Sequence, residues 1–524
     1  MALLVLSRVL FMLAQPFASE DAYIAFRYAR HLVDGLGLTY NPGERVMGFT
    51  SLPWTLWCAL GLALHVSPVL WTQVNSAFAD AASLVLMTDV LCRRCGRMAG
   101  WAFAMFFSTW PLFSASAVSG LESSVFFLAM VASAVLIERR SRWAGLALGV
   151  LAVLRPEGLL AGALMAWRAD RRARIIAGVI ALVMIGGLWA YYGSPIPQSV
   201  IAKAALYGTP GPWVGRHWWD WLFPAPLGRY PSSTEGLQLA PIAILFAAST
   251  VQGARDLWAR RWPAIVLVTA SGVGIWLAYC VLGVAYFWWY MVVPVATLAV
   301  LAAVGLPKVV SGSLVPAMAA VFLLGTWTLA LPLYLGRAKA EYVNNMSVAN
   351  VLRAQAAPTD TIMVEPIGMI GYETGLAVID EVGLVSPAVV RRRLAGAGWY
   401  ADVANAANPR WLVLRQEVLS DASGYAGTGA PFRSADEESG LCRTISWYGL
   451  IARWRASCCA CSKGYSPSSS FMNAFAPARP ETVSHTGPLS AAAFSSNARN
   501  GQHFRSSSAH LAASAQRSAG SRNA

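Results

Sequence analysis

The chain has 524 residues, of which 56% are hydrophobic and only 13% charged, and this composition excludes an ordinary soluble protein. The net charge of +14 comes from short Lys and Arg clusters between apolar runs, which is typical of loops that fix membrane orientation and not of a nucleic-acid-binding face. The eight cysteines show neither a pairing pattern nor nearby His residues, so neither a disulfide framework nor a zinc site is predicted.

The apolar runs predict a series of membrane helices, because about 20 apolar residues in a helix cross a bilayer. Residues 1–14 are interpreted as the first span and not as a cleaved signal peptide, since Arg8 lies within the run and no charged leader precedes it. The basic segments are placed in the cytoplasm, which leaves residues 16–73 outside, and we call this segment the first loop. Residues 146–167 are interpreted as two short helices that form either a re-entrant hairpin or two spans. With these, the bundle has about 11 membrane helices, the others lying at residues 74–91, 99–118, 121–138, 175–191, 239–251, 264–282, 291–306 and 314–335.

The first loop is dense in polar residues directly behind an apolar helix. It begins with an acidic pair, Glu20 and Asp21, and continues into a predicted helix over residues 22–34 that carries Arg27. Helical spacing places Glu20 and Arg27 close to one face. This pattern is typical of a carboxylate that acts as a general base beside an arginine that contacts a phosphate, and the alternative is a surface ion pair.

Further charged residues are predicted at or near membrane depth. Arg155 and Glu157 flank a proline that breaks an apolar run, and such charges are candidates for function unless they only pair with each other. Lys203 follows two prolines at the height of a lipid phosphate, where it either contacts that phosphate or only extends its ammonium group to the interface. The aromatic run at residues 287–290 is interpreted as an interfacial anchor, and the alternative is that its rings stack on a sugar.

The composition of residues 338–455 is that of a folded α/β domain, so the membrane domain is predicted to end at residue 337. Strands are predicted at residues 361–364, 377–379 and 411–414, with a short helix at 367–374. An odd number of spans places this domain on the extracytoplasmic side. Residues 456–524 form a basic tail, rich in Ser and Ala and nearly free of acids, and are predicted to be disordered.

One long segment and several shorter ones resemble a known family. Residues 20–51 have the sequence EDAYIAFRYARHLVDGLGLTYNPGERVMGFTS, which resembles the signature of the GT-C superfamily of membrane glycosyltransferases and most closely the terminal arabinofuranosyltransferase-like branch. The segments that also resemble this branch are 119–122, 155–158, 191–203, 367–372 and 379–387, so the similarity covers residues 20–411 in order. The first acid departs from the branch, which usually has Asp where this chain has Glu20.

The resemblance implies a mostly α, polytopic GT-C-type bundle in which the acidic pair supplies the catalytic base, and it leaves open which member that is. It implies contact of Glu122 with the sugar, the acceptor or a divalent ion, and the alternative is a simple helix N-terminal acid. It implies contact of Arg155 and Lys203 with the donor phosphate. Metal dependence stays open, because the sequence identifies no ligand set for a divalent cation.

The function predicted on this basis is that of an inverting glycosyltransferase in the plasma membrane. The enzyme moves a sugar, arabinofuranose by the nearest resemblance, from a polyprenyl-phosphate donor to an extracytoplasmic glycan, lipid or protein acceptor. Membrane lipids are its other expected partners, and nucleic acid is not expected. The rival interpretation is a transporter or flippase of lipid-linked sugars, although such proteins often have two similar halves and this chain shows one broken segment and no repeat. A non-catalytic sensor on the same scaffold is a third.

Overall fold

In the described residues, helices fill the first part of the chain and the first strand begins at Thr361. The computed structural model describes residues 1–207, 233–260, 263–284, 287–311, 314–395, 399–414, 443–446 and 451–452. The tail predicted at 456–524 lies outside these residues.

Prolines set several of the helix boundaries in the first 192 residues. The bounds are α1 Ala2–Ala14, α2 Ala22–Val33, α3 Leu52–Ala63, α4 Pro68–Cys95, α5 Arg97–Thr109, α6 Pro111–Val118, α7 Ser123–Glu138, α8 Ala144–Leu154, α9 Pro156–Ala166 and α10 Arg171–Tyr192. Pro68, Pro111 and Pro156 each stand at the first position of a helix, where the missing N–H leaves no unpaired donor. The predicted span at 99–118 is accordingly broken, since α5 and α6 meet at an angle of 53°.

Arg155 lies in the gap between α8 and α9. The proline ring at Pro156 disfavours the helical conformation for the residue before it, and Arg155 has extended backbone with φ −149° and ψ 155°. The two predicted short helices are confirmed, with 11 residues in each. The break therefore places Arg155 between two mostly apolar helices, with Glu157 in the first turn of the second.

Most of the later membrane helices are longer than predicted, and the one predicted at 264–282 keeps its length of 19 residues. Their bounds are α11 Gln198–Tyr207, α12 Ser233–Arg260, α13 Pro263–Val281, α14 Val292–Val309 and α15 Val315–Gln355, and a 3₁₀ turn at Trp288–Met291 precedes α14. With 41 residues, α15 extends well past the predicted end of its span at 335. It also runs without interruption across residue 337, where the membrane domain is predicted to end.

Four helical segments of the described chain are long and apolar enough to cross a bilayer alone, and the bent pair of α5 and α6 makes a fifth if it counts as one span. The four are α4, α10, α13 and Trp288–Val309. Helices α1, α3, α7 and α8 are apolar but shorter, with 10–17 residues. The chain is therefore an integral membrane protein, and the total of about 11 spans stays a prediction.

A small, mostly parallel sheet follows α15. The strands are β1 Thr361–Val364, β2 Ala377–Asp380, β3 Trp411–Leu414, β4 Arg443–Ser446 and β5 Ile451–Ala452, and the sheet order is β2-β1-β3-β4-β5. The first four are parallel, and β5 is antiparallel to β4. Helix α16 (Gly368–Thr374) connects β1 to β2, and helices α17 (Pro387–Ala395) and α18 (Trp399–Ala407) lie between β2 and β3. We call β1 to β5 with α16 to α18 the sheet region.

The first loop and the sheet region share one hydrophobic core. Tyr28, Tyr40 and Phe49 of the loop are buried in the same cluster as Ile362 of β1 and as other strand residues. The loop also covers the free edge of β2, because the Asn41 side-chain amide donates to the Val378 carbonyl at 2.9 Å and accepts from the Val378 N–H at 3.0 Å. A separate and larger core holds the helical bundle together. The sheet region is thus fastened to the segment that carries the acidic pair.

Candidate active site

A cavity opens between the first loop, the break at Arg155 and helix α11. Its volume is about 650 Å³, which includes the solvent-filled space at its opening. The charged side chains that line it, among the described residues, are Asp21, Glu122, Arg155 and Lys203. These residues come from four separate stretches of sequence, so only the fold brings them together.

The two members of the acidic pair have different environments. Asp21 lines the cavity, and its carboxylate lies 3.9 Å from the Lys203 ammonium. Glu20 is only 7% exposed, and its Oε1 accepts hydrogen bonds from the backbone N–H groups of Gly368 and Met369. Burial raises the pKa of Glu20 well above the usual glutamate value, and the neighbouring Asp21 acts in the same direction. One acid therefore faces the cavity and the other is docked on the sheet region.

The structure does not place Arg27 at the cavity, which corrects its predicted role as a phosphate contact. The side chain is 1% exposed, and its three guanidinium nitrogens donate to the carbonyls of Tyr40, Gly371 and Leu376 at 2.7–2.8 Å. Arg27 and Glu20 both contact α16, so the face of α2 that carries Arg27 packs on the sheet region. Arg27 is therefore a structural tie between the first loop and α16.

Arg155 is the centre of a buried charge cluster. Its Nε donates to Glu157 Oε1 at 2.7 Å, and its Nη1 lies 3.4 Å from Glu122 Oε1 and 3.0 Å from Ser123 Oγ. Glu157 also accepts from the Tyr279 hydroxyl at 2.5 Å. The predicted pairing of Arg155 with Glu157 is present, and Arg155 nevertheless lines the cavity. Glu157 lies behind it and holds the guanidinium in place.

Lys203 reaches the cavity from α11 and is surrounded by groups that favour its charge. Besides Asp21, its ammonium lies 4.7 Å from the ring centroid of Phe287 and 5.8 Å from that of Tyr290. Burial acts to lower the pKa of Lys203, but Tyr290 and Asp21 outweigh it and raise that pKa above the usual lysine value. The side chain is 21% exposed, so it is a cation that a ligand can reach.

Reasoning from the sequence missed some lining residues and favoured another role for others. Trp289 and Tyr290 line the cavity, although the favoured prediction for their aromatic run is an interfacial anchor and stacking on a sugar is the alternative. The side chain of Trp54 also lines the cavity, and its indole N–H donates to the Gly120 carbonyl at 3.0 Å, beside the turn that carries Glu122. Leu384 contributes a wall from the sheet region. An aliphatic residue in a loop gives no sequence signal for such a role.

The cavity offers carboxylates and cations to one ligand. Asp21 can accept a proton, and Arg155 and Lys203 can stabilise a phosphate. In the described part of the chain, no group of three His, Cys, Asp or Glu side chains is arranged to hold a metal ion.

Residues 334–474 match a family model described as a domain of unknown function (DUF8728). No curated protein sequence gives a significant match to the chain. Among solved structures, ArnT from Cupriavidus metallidurans bound to undecaprenyl phosphate is similar, with a TM-score of 0.52 and 10% identity over 72% of this chain and 85% of that chain. ArnT from the same organism in the apo state gives a TM-score of 0.53 with 11% identity, over 72% and 84% of the two chains. At such identities the likeness concerns the fold alone, and the chain has a mostly helical, ArnT-like fold.

Proposed function

We propose that this chain is an inverting glycosyltransferase that takes a sugar from a polyprenyl-phosphate donor. The observation that carries the proposal is a cavity lined by the Asp21 carboxylate and by two cations, Arg155 and Lys203, of which the Lys203 ammonium lies 3.9 Å from Asp21. Two findings support it from outside the site. ArnT, a GT-C family glycosyltransferase that uses polyprenyl-phosphate sugars, shares the fold and was solved with undecaprenyl phosphate bound. The sequence resembles the GT-C signature in the segments that line this cavity.

In the proposed reaction the acceptor hydroxyl oxygen attacks the anomeric carbon of the donor sugar. The new C–O bond forms as the bond from that carbon to the phosphate oxygen breaks, and the hydroxyl proton passes to Asp21. A single displacement of this kind inverts the anomeric configuration. Asp21 is the better base of the pair because it lines the cavity, whereas the Glu20 carboxylate is held by backbone N–H groups outside it.

The leaving group explains the need for two cations. The donor phosphodiester carries one negative charge and the departing polyprenyl phosphate carries two, so charge grows on the phosphate oxygens in the transition state. Arg155 and Lys203 are fixed by their ion-pair partners before the donor binds, and such preorganised cations lower the barrier by electrostatic stabilisation. Glu122 lines the same cavity, 3.4 Å from the Arg155 guanidinium, and is assigned to contact with the sugar or the acceptor hydroxyls.

The finer features of the proposal follow from the sequence resemblance. The donor sugar is arabinofuranose, and the acceptor is a glycan, lipid or protein outside the cytoplasm. The enzyme resides in the plasma membrane, with the cavity and the sheet region on the extracytoplasmic side.

The test is transfer by the purified chain from radiolabelled polyprenyl-phosphoarabinose to a soluble arabinan acceptor, with polyprenyl-phosphate hexoses as competing donors. The expected product is a glycoside whose anomeric configuration, read by NMR, is opposite to that of the donor. Reconstituted vesicles in which the chain moves the lipid-linked sugar between leaflets without forming any glycoside would instead establish the transporter. Transfer of a hexose but not of arabinose would correct the donor and keep the reaction.

A further inference from the structure

Helix α16 of the sheet region is held at both ends by side chains from the first loop. At its amino end, the N–H groups of Gly368 and Met369 donate to Glu20 Oε1. At its carboxyl end, the Gly371 carbonyl accepts from Arg27 at 2.7 Å and the Tyr372 carbonyl accepts from Arg30 at 2.9 Å. An acid thus meets N–H groups of the first turn, and two arginines meet carbonyls of the last turn, where a helix leaves backbone groups without a partner inside it. The Gly371 carbonyl also accepts from the Gly375 N–H at 3.0 Å.

The fit between α16 and the first loop requires glycine at two positions. A Cβ atom at position 368 would lie 2.1 Å from the backbone oxygen of Glu20, and one at position 371 would lie 2.0 Å from the Tyr40 hydroxyl. Neither approach is possible for a residue with a side chain unless the two segments move apart. The backbone of the acidic pair is therefore set directly against the sheet region.

The other side of the acidic pair rests on the membrane domain. The N–H of Ser19 donates to the Ser119 carbonyl at 2.8 Å, in the turn that leads to Glu122. Asp21 is the N-cap residue of α2, so its position follows from the path of the chain through residues 19–22. The short segment that carries Asp21 is consequently held between the turn at Ser119 and α16.

A second contact links the sheet region to the cations. The Gln198 side-chain amide, on the helix α11 that carries Lys203, donates to the Gly383 carbonyl at 3.0 Å. The same loop after β2 packs closely on the first loop, since a Cβ at Gly48 would lie 2.4 Å from Val385. Between these contacts, Leu384 lines the cavity. The sheet region therefore touches the segments that carry the base and one phosphate-binding cation.

We propose that the sheet region is a positioning element of the active site, in which Glu20 is the residue that couples α16 to the catalytic base Asp21. This inference rests on the proposed function. Glu20 takes no part in proton transfer. It fixes the Asp21 carboxylate in the cavity, and the loop at 380–386 fixes the wall beside Lys203.

The first test compares two substitutions of Glu20. Glutamine keeps an oxygen that can accept from the N–H groups of Gly368 and Met369, so Glu20→Gln should retain kcat within about threefold of the wild type. Glu20→Ala loses this contact and should lower kcat by roughly 10- to 100-fold, which is the effect of misplacing a catalytic group by about 1 Å. KM for the donor stays the same in both variants, because the cations are untouched. An equal loss of transfer in Glu20→Gln and Glu20→Ala would overturn the inference, because it would show that the Glu20 carboxylate itself takes part in the reaction.

The second test reads the contact itself and needs no turnover. In the full-length protein, hydrogen exchange measured by mass spectrometry should show fast exchange of the amides at 368 and 369 in Glu20→Ala and slow exchange in the wild type and Glu20→Gln. Gly368→Ala should lower kcat as much as Glu20→Ala does. Its matched control is Gly186→Ala on α10, where a Cβ would meet open space and kcat should stay the same. Unchanged exchange in Glu20→Ala, or unchanged kcat in Gly368→Ala, would refute the positioning role. Failure of the wild type to transfer any sugar would refute the proposed function, and the exchange experiment would then decide the contact alone.

Discussion

Removal of the Arg155 charge separates its two roles, as an ion-pair partner and as a cation for the donor phosphate. Its side chain is 6% exposed, and those of Glu157 and Glu122 are 12% and 9% exposed. Arg155→Gln therefore leaves two nearly buried carboxylates without their partner. Breaking a buried pair from one side costs about 3–5 kcal/mol, so we expect a loss of this size in the free energy of unfolding.

The double variant Arg155→Gln, Glu157→Gln removes one of the stranded charges. The amide oxygen that replaces the Glu157 carboxylate can still accept from the Tyr279 hydroxyl, so the hydrogen bond that Glu157 makes there survives. We expect the double variant to recover about 2 kcal/mol relative to the sum of the single changes, which is within the range for residues of one ion-pair network. Glu122 remains unpaired, so recovery is not complete.

Activity is expected to behave differently from stability. Loss of a preorganised charge in the transition state lowers kcat by on the order of 10²- to 10³-fold, and the double variant does not restore that charge. The assays are reversible unfolding in mixed detergent micelles and single-turnover transfer with saturating donor, with Glu157→Gln alone as the control. Recovery of transfer along with stability in the double variant would refute the assignment of Arg155 to the donor phosphate.

Lys203→Met should raise the KM for the lipid-linked donor about tenfold, as expected for the loss of a charge-assisted contact, and Lys203→Arg should restore most of the affinity in donor-binding titrations. Because the pKa of Glu20 is raised in the folded state, ionisation of Glu20 disfavours folding, and the wild type should lose thermal stability as pH rises above the ordinary glutamate pKa. Glu20→Gln should lose less stability, and the remaining loss belongs to other buried acids such as Asp380, whose pKa burial raises to about 6. Gly371→Ala forces a methyl group against the Tyr40 hydroxyl and should destabilise the protein by roughly 1–3 kcal/mol, whereas Gly178→Ala, in open space, should leave the melting temperature unchanged.

Local patterns in the sequence were sufficient for the secondary structure near the site. Short, continuous apolar runs predict β1 at 361–364 and β3 at 411–414, where the structure has them. The proline at position 156 predicts the break that holds Arg155. Signals of this kind act over a few residues, and short-range sterics decide them.

The contacts that divide the acidic pair could not be predicted in this way. Glu20 meets Gly368 across 348 residues, and no local pattern distinguishes an acid that faces a cavity from one that docks on backbone N–H groups. The partners of Arg27 could not be predicted either. Helical spacing places Arg27 on the same face as Glu20, but the carbonyls to which Arg27 donates, those of Gly371 and Leu376, are more than 340 residues away in the sequence. Long-range packing, and not helix periodicity, determines which of these charges is accessible to a ligand.

The proposed reaction depends most on Asp21, the base that removes the acceptor proton. The direct measurement is the single-turnover rate of sugar transfer by Asp21→Asn, in which the side chain keeps its shape and loses its basicity. With saturating donor, we expect a fall of about 10²- to 10⁴-fold, as for the loss of a general base. Transfer by Asp21→Asn at the wild-type rate would contradict the account.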